Sequence, residues 1–201
     1  MNSLFKSPIA IGIALAVSAA VPARAVTVAE FTAGTAIASN LIGGQSFTLV
    51  GAGSFTNISF NFFSDTPATT PSAAGTGFLL SSAYTGTPGA LSSGTAGYLG
   101  SATASGGFWN FGSGVSLLGG TQYFFYANTA TLITGSNLGG YGGGNYYNGS
   151  SGSFVSSAVD ANFRVTGDAV SAPDGGSTML MFALGGLGLL LGRRSLRSAA
   201  S

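Results

Sequence analysis

An uncharged stretch of 18 residues near the C-terminus, Gly175 to Gly192, constrains this chain more than any other feature. As a helix rising about 1.5 Å per residue it would be roughly 27 Å long, close to the ~30 Å of a bilayer core. Arg193, Arg194 and Arg197 follow it, and cationic residues stay on the cytoplasmic side of a membrane. The pattern predicts a C-terminal transmembrane helix with a basic stop-transfer cluster. A buried soluble helix is the alternative, because the strictly apolar part, from Met179, is about 14 residues long.

A short polar motif precedes this run and consists of Pro173, Asp174, Gly175, Gly176, Ser177 and Thr178. In its order of motif, apolar helix and basic tail, segment 173–201 resembles the bacterial PEP-CTERM class of protein-sorting signals, in particular the variant whose motif begins Val-Pro-Asp. Ala172 stands where that variant has valine. The resemblance implies that an exosortase-like membrane protease recognises the motif, cleaves near it and passes the protein to the cell surface or extracellular matrix. It implies nothing about the preceding domain.

The N-terminal 25 residues have the composition of a secretory signal peptide. Lys6 is followed by an apolar run from Ile9 to Val21, and Ala23-Arg24-Ala25 provides a small-x-small cleavage site. We therefore expect the secretion translocase to export the chain and the mature protein to begin at Val26. An uncleaved N-terminal anchor is the alternative.

The segment between these ends, residues 26–172, has the length of one domain with a hydrophobic core. Arg164 is its only basic residue. Its acidic residues are Glu30, Asp65, Asp160 and Asp168. A domain with one cationic side chain cannot neutralise several phosphates, so the composition argues against nucleic-acid binding.

The chain has no cysteine and no histidine, which excludes disulfides and thiolate metal sites and removes the commonest general base. No histidine or lysine in residues 26–172 is available to activate a serine or threonine. We expect no enzymatic activity, no cofactor and no metal. Calcium binding through Asp65, Asp160, Asp168 and loop carbonyls is a minor alternative, since Ca²⁺ takes oxygen ligands.

Short runs of aromatic and β-branched residues between glycine, serine and asparagine clusters predict an all-β fold, an antiparallel β-sandwich of jelly-roll type, over residues 26–166. A linker, 167–172, would join it to the tail. The strand-like runs are Gln45–Val50, Thr56–Phe63, Gly77–Leu80, Ala96–Ala102, Gly107–Phe111 and Val159–Thr166. In the second of these, Ile58, Phe60 and Phe62 share one face.

Two further patterns give specific expectations. Gly119-Gly120, between Val115–Leu118 and Thr121–Ala127, predicts a two-residue hairpin turn. In the last strand the apolar side chains alternate with Asp160, Asn162, Arg164 and Thr166, which we expect to face solvent. Segment 65–76 is predicted as a connecting loop. Segment 135–152 is predicted as a long surface loop or a strand pair.

Aromatic side chains give the one hint of a ligand. β-Sandwiches often present flat rings to sugars, and the candidate glycan contacts are Trp109, Tyr141, Tyr146 and Tyr147. The alternative places Trp109 in the core and the tyrosines over glycine-rich turns. The sequence favours a structural or adhesive protein, passing through the inner membrane to the cell surface or matrix. A module that binds extracellular polysaccharide is the competing interpretation.

Overall fold

The structure, a computed structural model, describes residues 24–36, 39–136 and 140–170. In this part of the chain no helix is long and apolar enough to cross a membrane. The predicted transmembrane helix, the sorting motif and the signal peptide before Arg24 lie outside the described residues, and these assignments stay predictions.

The described residues form an all-β fold with antiparallel pairing, as predicted. The strands are β1 Ala25–Phe31, β2 Ser39–Leu41, β3 Gly43–Thr48, β4 Ser54–Phe63, β5 Pro71–Ser72, β6 Thr76–Leu80, β7 Tyr98–Ser105, β8 Phe108–Asn110, β9 Leu117–Leu118, β10 Gln122–Ala127, β11 Thr131–Ile133, β12 Gly135–Ser136, β13 Tyr146–Asn148, β14 Val155–Ser157, β15 Asp160–Ala161 and β16 Phe163–Val170. A 3-10 turn, Pro88–Ala90, is the helical element of the described segments.

Most strands follow one path of neighbours, β1-β16-β4-β8-β7-β6-β10-β3-β13-β14, with β5 and β9 also bonded to β4. The pairs β2–β11 and β12–β15 stand apart. Phe60 of β4 and Phe125 of β10 stack with ring centroids 3.9 Å apart. These strands are four steps apart along the path, about 19 Å in a flat sheet at ~4.8 Å per step. The path therefore folds back on itself, which is consistent with a β-sandwich.

Phe60 lies at the centre of the main core. Its ring is stacked on Phe163 at 5.7 Å and meets Phe62 edge-on at 5.1 Å. Ile58, Phe60 and Phe62 are all buried, so the face predicted for this strand is confirmed. Offset and edge-to-face ring pairs of this kind stabilise by about 0.5–1.5 kcal/mol beyond their area burial.

A second apolar cluster covers the other face of the β6–β10–β3–β13 layer. Its buried members are Phe78, Leu80, Leu91, Tyr126, Tyr147 and Phe154. Two loops cover it: the Tyr84 amide donates to the Tyr126 phenol oxygen at 2.9 Å, and the Phe154 amide donates to the Gly86 carbonyl at 3.0 Å. This layer therefore buries apolar side chains on both faces.

The predicted hairpin around Gly119-Gly120 is wrong. β9 pairs with β4, whereas β10 lies between β3 and β6. The two glycine amides donate to the carbonyls of Gly53 and Leu49. The turn is fixed by the β3–β4 loop, and the segment passes from one layer to the other.

The last strand follows its prediction in part. Its apolar residues Ala161, Phe163 and Val165 are buried, and Arg164 faces outward in an ion pair with Glu30 at 2.9 Å. Asp160 and Asn162, expected in solvent, are 5% and 0% exposed. Both polar side chains instead form hydrogen bonds with backbone and side-chain groups of neighbouring segments. The strand also continues through residues 167–170, which were predicted as linker.

Segment 135–152 contains more structure than a surface loop. β13 lies between β3 and β14, and both of its tyrosines are buried. The segment contains two strands, β12 and β13, but they do not form the predicted pair: β12 pairs with β15, and β13 pairs with β3 and β14. Segment 65–76 is a loop, as predicted, as far as β5.

Gly44 shows why glycine occupies a strand interior. A Cβ atom there would lie 2.4 Å from Cδ1 of Tyr126 and 2.8 Å from the Phe125 carbonyl oxygen. Gly44 is paired with Tyr126 on one side and Tyr147 on the other. The Tyr126 ring therefore occupies the space that a side chain at position 44 would need.

We predict that Gly44→Ala lowers the free energy of unfolding by about 1–3 kcal/mol, because overpacking forces rings or strands apart. Urea denaturation followed by fluorescence of Trp109, the single and fully buried tryptophan, measures this. Gly114→Ala is the control, since nothing lies within 4 Å of its added Cβ. Equal stability of the two variants would contradict the assignment.

Candidate functional site

A buried polar network lies beside the β12–β15 pair and is centred on Asn162 and Asp160. The Asn162 amide oxygen accepts the Gly34 amide at 2.9 Å, and its nitrogen donates to the Gly34 carbonyl at 2.8 Å and to Thr134 Oγ1 at 3.0 Å. Thr134 Oγ1 in turn donates to the Phe63 carbonyl at 3.1 Å. One side chain thus joins three segments that are far apart in sequence.

Asp160 connects two more segments to this network. Its Oδ2 accepts the Tyr141 amide at 2.9 Å, and its Oδ1 lies 3.5 Å from the donor Nε2 of Gln45. Gln45 Oε1 accepts the Ala161 amide at 3.3 Å. The ion pair found in the described segments joins Arg164 to Glu30, so amide dipoles rather than a formal cation surround the Asp160 carboxylate.

A cleft of about 130 Å³ opens beside this network. Its lining is Ala36, Ser39, Leu41, Ile133, Thr134, Gly135, Ser136, Tyr146, Val159, Asp160 and Ala161. The Tyr146 phenol oxygen is buried without a hydrogen-bond partner, and burial raises the pKa of this phenol. Pockets for small molecules usually measure ~300–1,000 Å³, so this cleft admits a group of a few atoms.

The aspartates proposed for calcium are not brought together. Asp160 lies in the buried network, Asp168 accepts from Asn57 Nδ2 at 2.8 Å, and Asp65 lies in its own loop. Within residues 24–36, 39–136 and 140–170, no group of three His, Cys, Asp or Glu side chains is placed to hold a metal ion.

The four candidate glycan contacts do not share an exposed face. Trp109 is fully buried, with its ring 4.7 Å from that of Phe125. Tyr146 and Tyr147 are 4% and 7% exposed and, as successive residues of one strand, point to opposite faces. Tyr141 is half-buried and packs edge-on against Phe163 at 5.0 Å. It is the one candidate with substantial exposed surface.

The residues at the predicted signal cleavage site lie at an edge of the sheet. Ala25 and Val26 begin β1, where they are exposed and paired with Asp168 and Gly167 of β16. Ala23, the motif 173–178 and the arginine cluster lie outside the described residues. The cleavage site and the sorting motif stay predictions.

No family model, curated protein or solved structure matches the chain.

The loop that begins at Asp65 was predicted, but the role of the Asp65 side chain within it was not. The Asp65 carboxylate accepts the amides of Thr69 and Thr70 at 2.9 and 2.8 Å and also the hydroxyls of both threonines. These hydrogen bonds, the Thr69 hydroxyl first, hold the pKa of the Asp65 carboxyl well below its usual range. An acid followed by two threonines four and five residues later was the available signal.

We predict that Asp65→Asn lowers the melting temperature at pH 7 and that the gap to wild type closes as the pH falls below about 4, the ordinary aspartate pKa. The folded-state pKa is depressed, so this stabilisation is present above the unfolded-state pKa and is lost on acidification. Thermal unfolding of both proteins between neutral and acid pH measures the gap. A gap independent of pH would count against the role of the charged carboxylate.

For the buried network, we predict that Asn162→Ala destabilises the domain by roughly 2–4 kcal/mol, because it leaves buried backbone groups of Gly34 unpaired. Denaturant unfolding gives the value. Asn110→Ala, at an exposed strand position, should change stability by no more than about 0.5 kcal/mol. A loss of stability in Asn162→Ala as small as that in Asn110→Ala would show that the network is dispensable.

Proposed function

We propose that this chain is an exported cell-surface or extracellular-matrix protein of structural or adhesive type. A C-terminal sorting signal holds it transiently in the inner membrane until an exosortase-like protease cleaves it. The observation that carries the proposal is the pairing of the first and last strands. Ala25 is opposite Asp168, and Val26 is opposite Gly167.

This pairing supports display from a membrane. Cross-strand partners have Cβ atoms about 5 Å apart, so the predicted signal and the predicted sorting tail join the domain side by side. β4 extends away from this end from Ser54, which pairs with Val170, to Phe63. Ten residues at ~3.3 Å each span roughly 30 Å. The opposite end of the domain can therefore face the medium while the tail is anchored.

The surface chemistry supports a role in a hydrated matrix. β7 alternates so that Ser101, Thr103 and Ser105 are exposed, forming a neutral row of hydroxyl groups. Such groups exchange hydrogen bonds with water and with carbohydrate without a net charge. The finer fold belongs to the same proposal: a jelly-roll-like sandwich in which β7, paired with both β6 and β8, joins the two layers.

A carbohydrate-binding module on this scaffold is the second candidate. Of its four aromatic residues, Tyr141 alone offers substantial exposed surface, so the hydroxyl row of β7 would have to supply most contacts. A pull-down with insoluble polysaccharide distinguishes the two functions. Retention that is lost in Tyr141→Ala would favour the module.

We predict that the wild-type chain begins at Val26, passes through the membrane fraction and is then found at the surface or outside the cell. A variant ending after Ala172 should be exported without entering the membrane fraction, because it lacks the apolar run. Fractionation with mass mapping of both termini measures this.

Asp174→Asn is the matched control for cleavage, since it keeps the apolar run and alters the motif. We expect this variant to accumulate uncleaved in the membrane. If the wild-type chain is found soluble in the cytosol with Ser201 retained, the proposal is wrong.

A further inference from the structure

We propose that the end of the domain that leads to the tail rests on the lipid surface of the membrane through four exposed aliphatic side chains, Val26, Val50, Leu118 and Val170. We call these the apolar end patch. They are 42%, 74%, 60% and 47% exposed, respectively. This inference rests on the proposed function, because it requires the C-terminal run to be in a bilayer.

Two of the four side chains lie in one cross-strand row. Val170 of β16 is opposite Ser54 of β4, and Ser54 is opposite Leu118 of β9. Residues directly opposite each other project from the same face of a sheet. Val170 and Leu118 therefore flank a small serine on the outer face, beside the point where the chain leaves for its tail.

Val50 and Val26 belong to the same end. Val50 lies in the loop that enters β4 at Ser54, and its amide donates to the Val28 carbonyl of β1 at 2.8 Å. The turn that follows Leu118 is bonded to this loop through the Gly119 amide and the Gly53 carbonyl at 2.8 Å. Val26 begins β1 opposite Gly167 of β16.

The remaining exposed large aliphatic side chains of the described residues, Leu132 and Val155, lie toward the opposite end. Leu132 is in β11, which leads to Thr134, whose amide donates to the carbonyl of Phe63 at the far end of β4. Val155 is opposite Asn148, which is opposite Gly43 at the start of β3, whereas Val50 follows the end of β3. These two positions are natural controls.

The short connection to the tail indicates that the lipid surface is what covers the apolar end patch. Four residues, Ser171 to Asp174, separate Val170 from the uncharged run that begins at Gly175. Fully extended, this connection reaches about 18 Å at most. If the run spans the bilayer, the end patch is held within that distance of the headgroups, where aliphatic side chains gain by leaving water.

The absence of cysteine from the chain allows a direct test with single labels. Val50→Cys and Leu118→Cys report on the patch, and Leu132→Cys and Val155→Cys are the controls. Each full-length variant carries a polarity-sensitive fluorophore. It is reconstituted into vesicles of phosphatidylcholine and phosphatidylglycerol that contain a nitroxide-labelled lipid. Circular dichroism confirms that each variant is folded.

We expect blue-shifted emission and strong quenching by the nitroxide lipid at residues 50 and 118, and neither effect at residues 132 and 155. If the chain binds vesicles but all four labels stay in water, the inference is wrong and the proposed function stands. If labels 50 and 118 are shielded equally without vesicles, a second copy covers the patch and the inference is again wrong. If the chain does not bind vesicles, both proposals fail.

Discussion

The contact between Phe60 and Phe125 is the interaction on which the rest of the domain depends. Their rings are nearly parallel, at 10°, and belong to strands well separated along the hydrogen-bonded path. Main-chain pairing alone would leave that path as an open sheet with both apolar faces in water. Burial of these rings, together with Phe163, whose ring is also stacked on Phe60, folds the path into layers around an apolar interior.

Large aromatic rings pack against strand positions where glycine provides no side chain. Phe125 occupies the space above Gly77, where an added Cβ would lie 2.5 Å from its ring, and Tyr126 occupies the space above Gly44. Glycine in a strand normally weakens it. Here the loss is offset by aromatic surface buried against bare backbone, which explains a domain rich in both glycine and phenylalanine.

The sequence predicted features that depend on neighbouring residues, and it did not predict features that depend on residues far apart in the chain. The alternation in β4 identified its core face, because every second residue of a strand with one buried face is apolar. The environment of Asp160 was not local: its partners are Gln45 and Tyr141, 115 and 19 residues away in sequence. The hairpin prediction at Gly119 was wrong for the same reason, since the hydrogen-bond partners of this turn lie in the β3–β4 loop. For Trp109 the structure shows the core alternative, which the local sequence could not decide, because a tryptophan beside glycines is compatible with a core and with an exposed site.

The position of β16 has a mechanical consequence. This strand is bonded to β1 on one side and β4 on the other, and its last residue, Val170, is the point from which the tail continues. A pull on the tail along the strand axis loads both ladders in shear, so many hydrogen bonds share the force. An edge strand pulled sideways would open one bond at a time. A force applied at residue 170 along the strand is therefore distributed over both neighbouring strands.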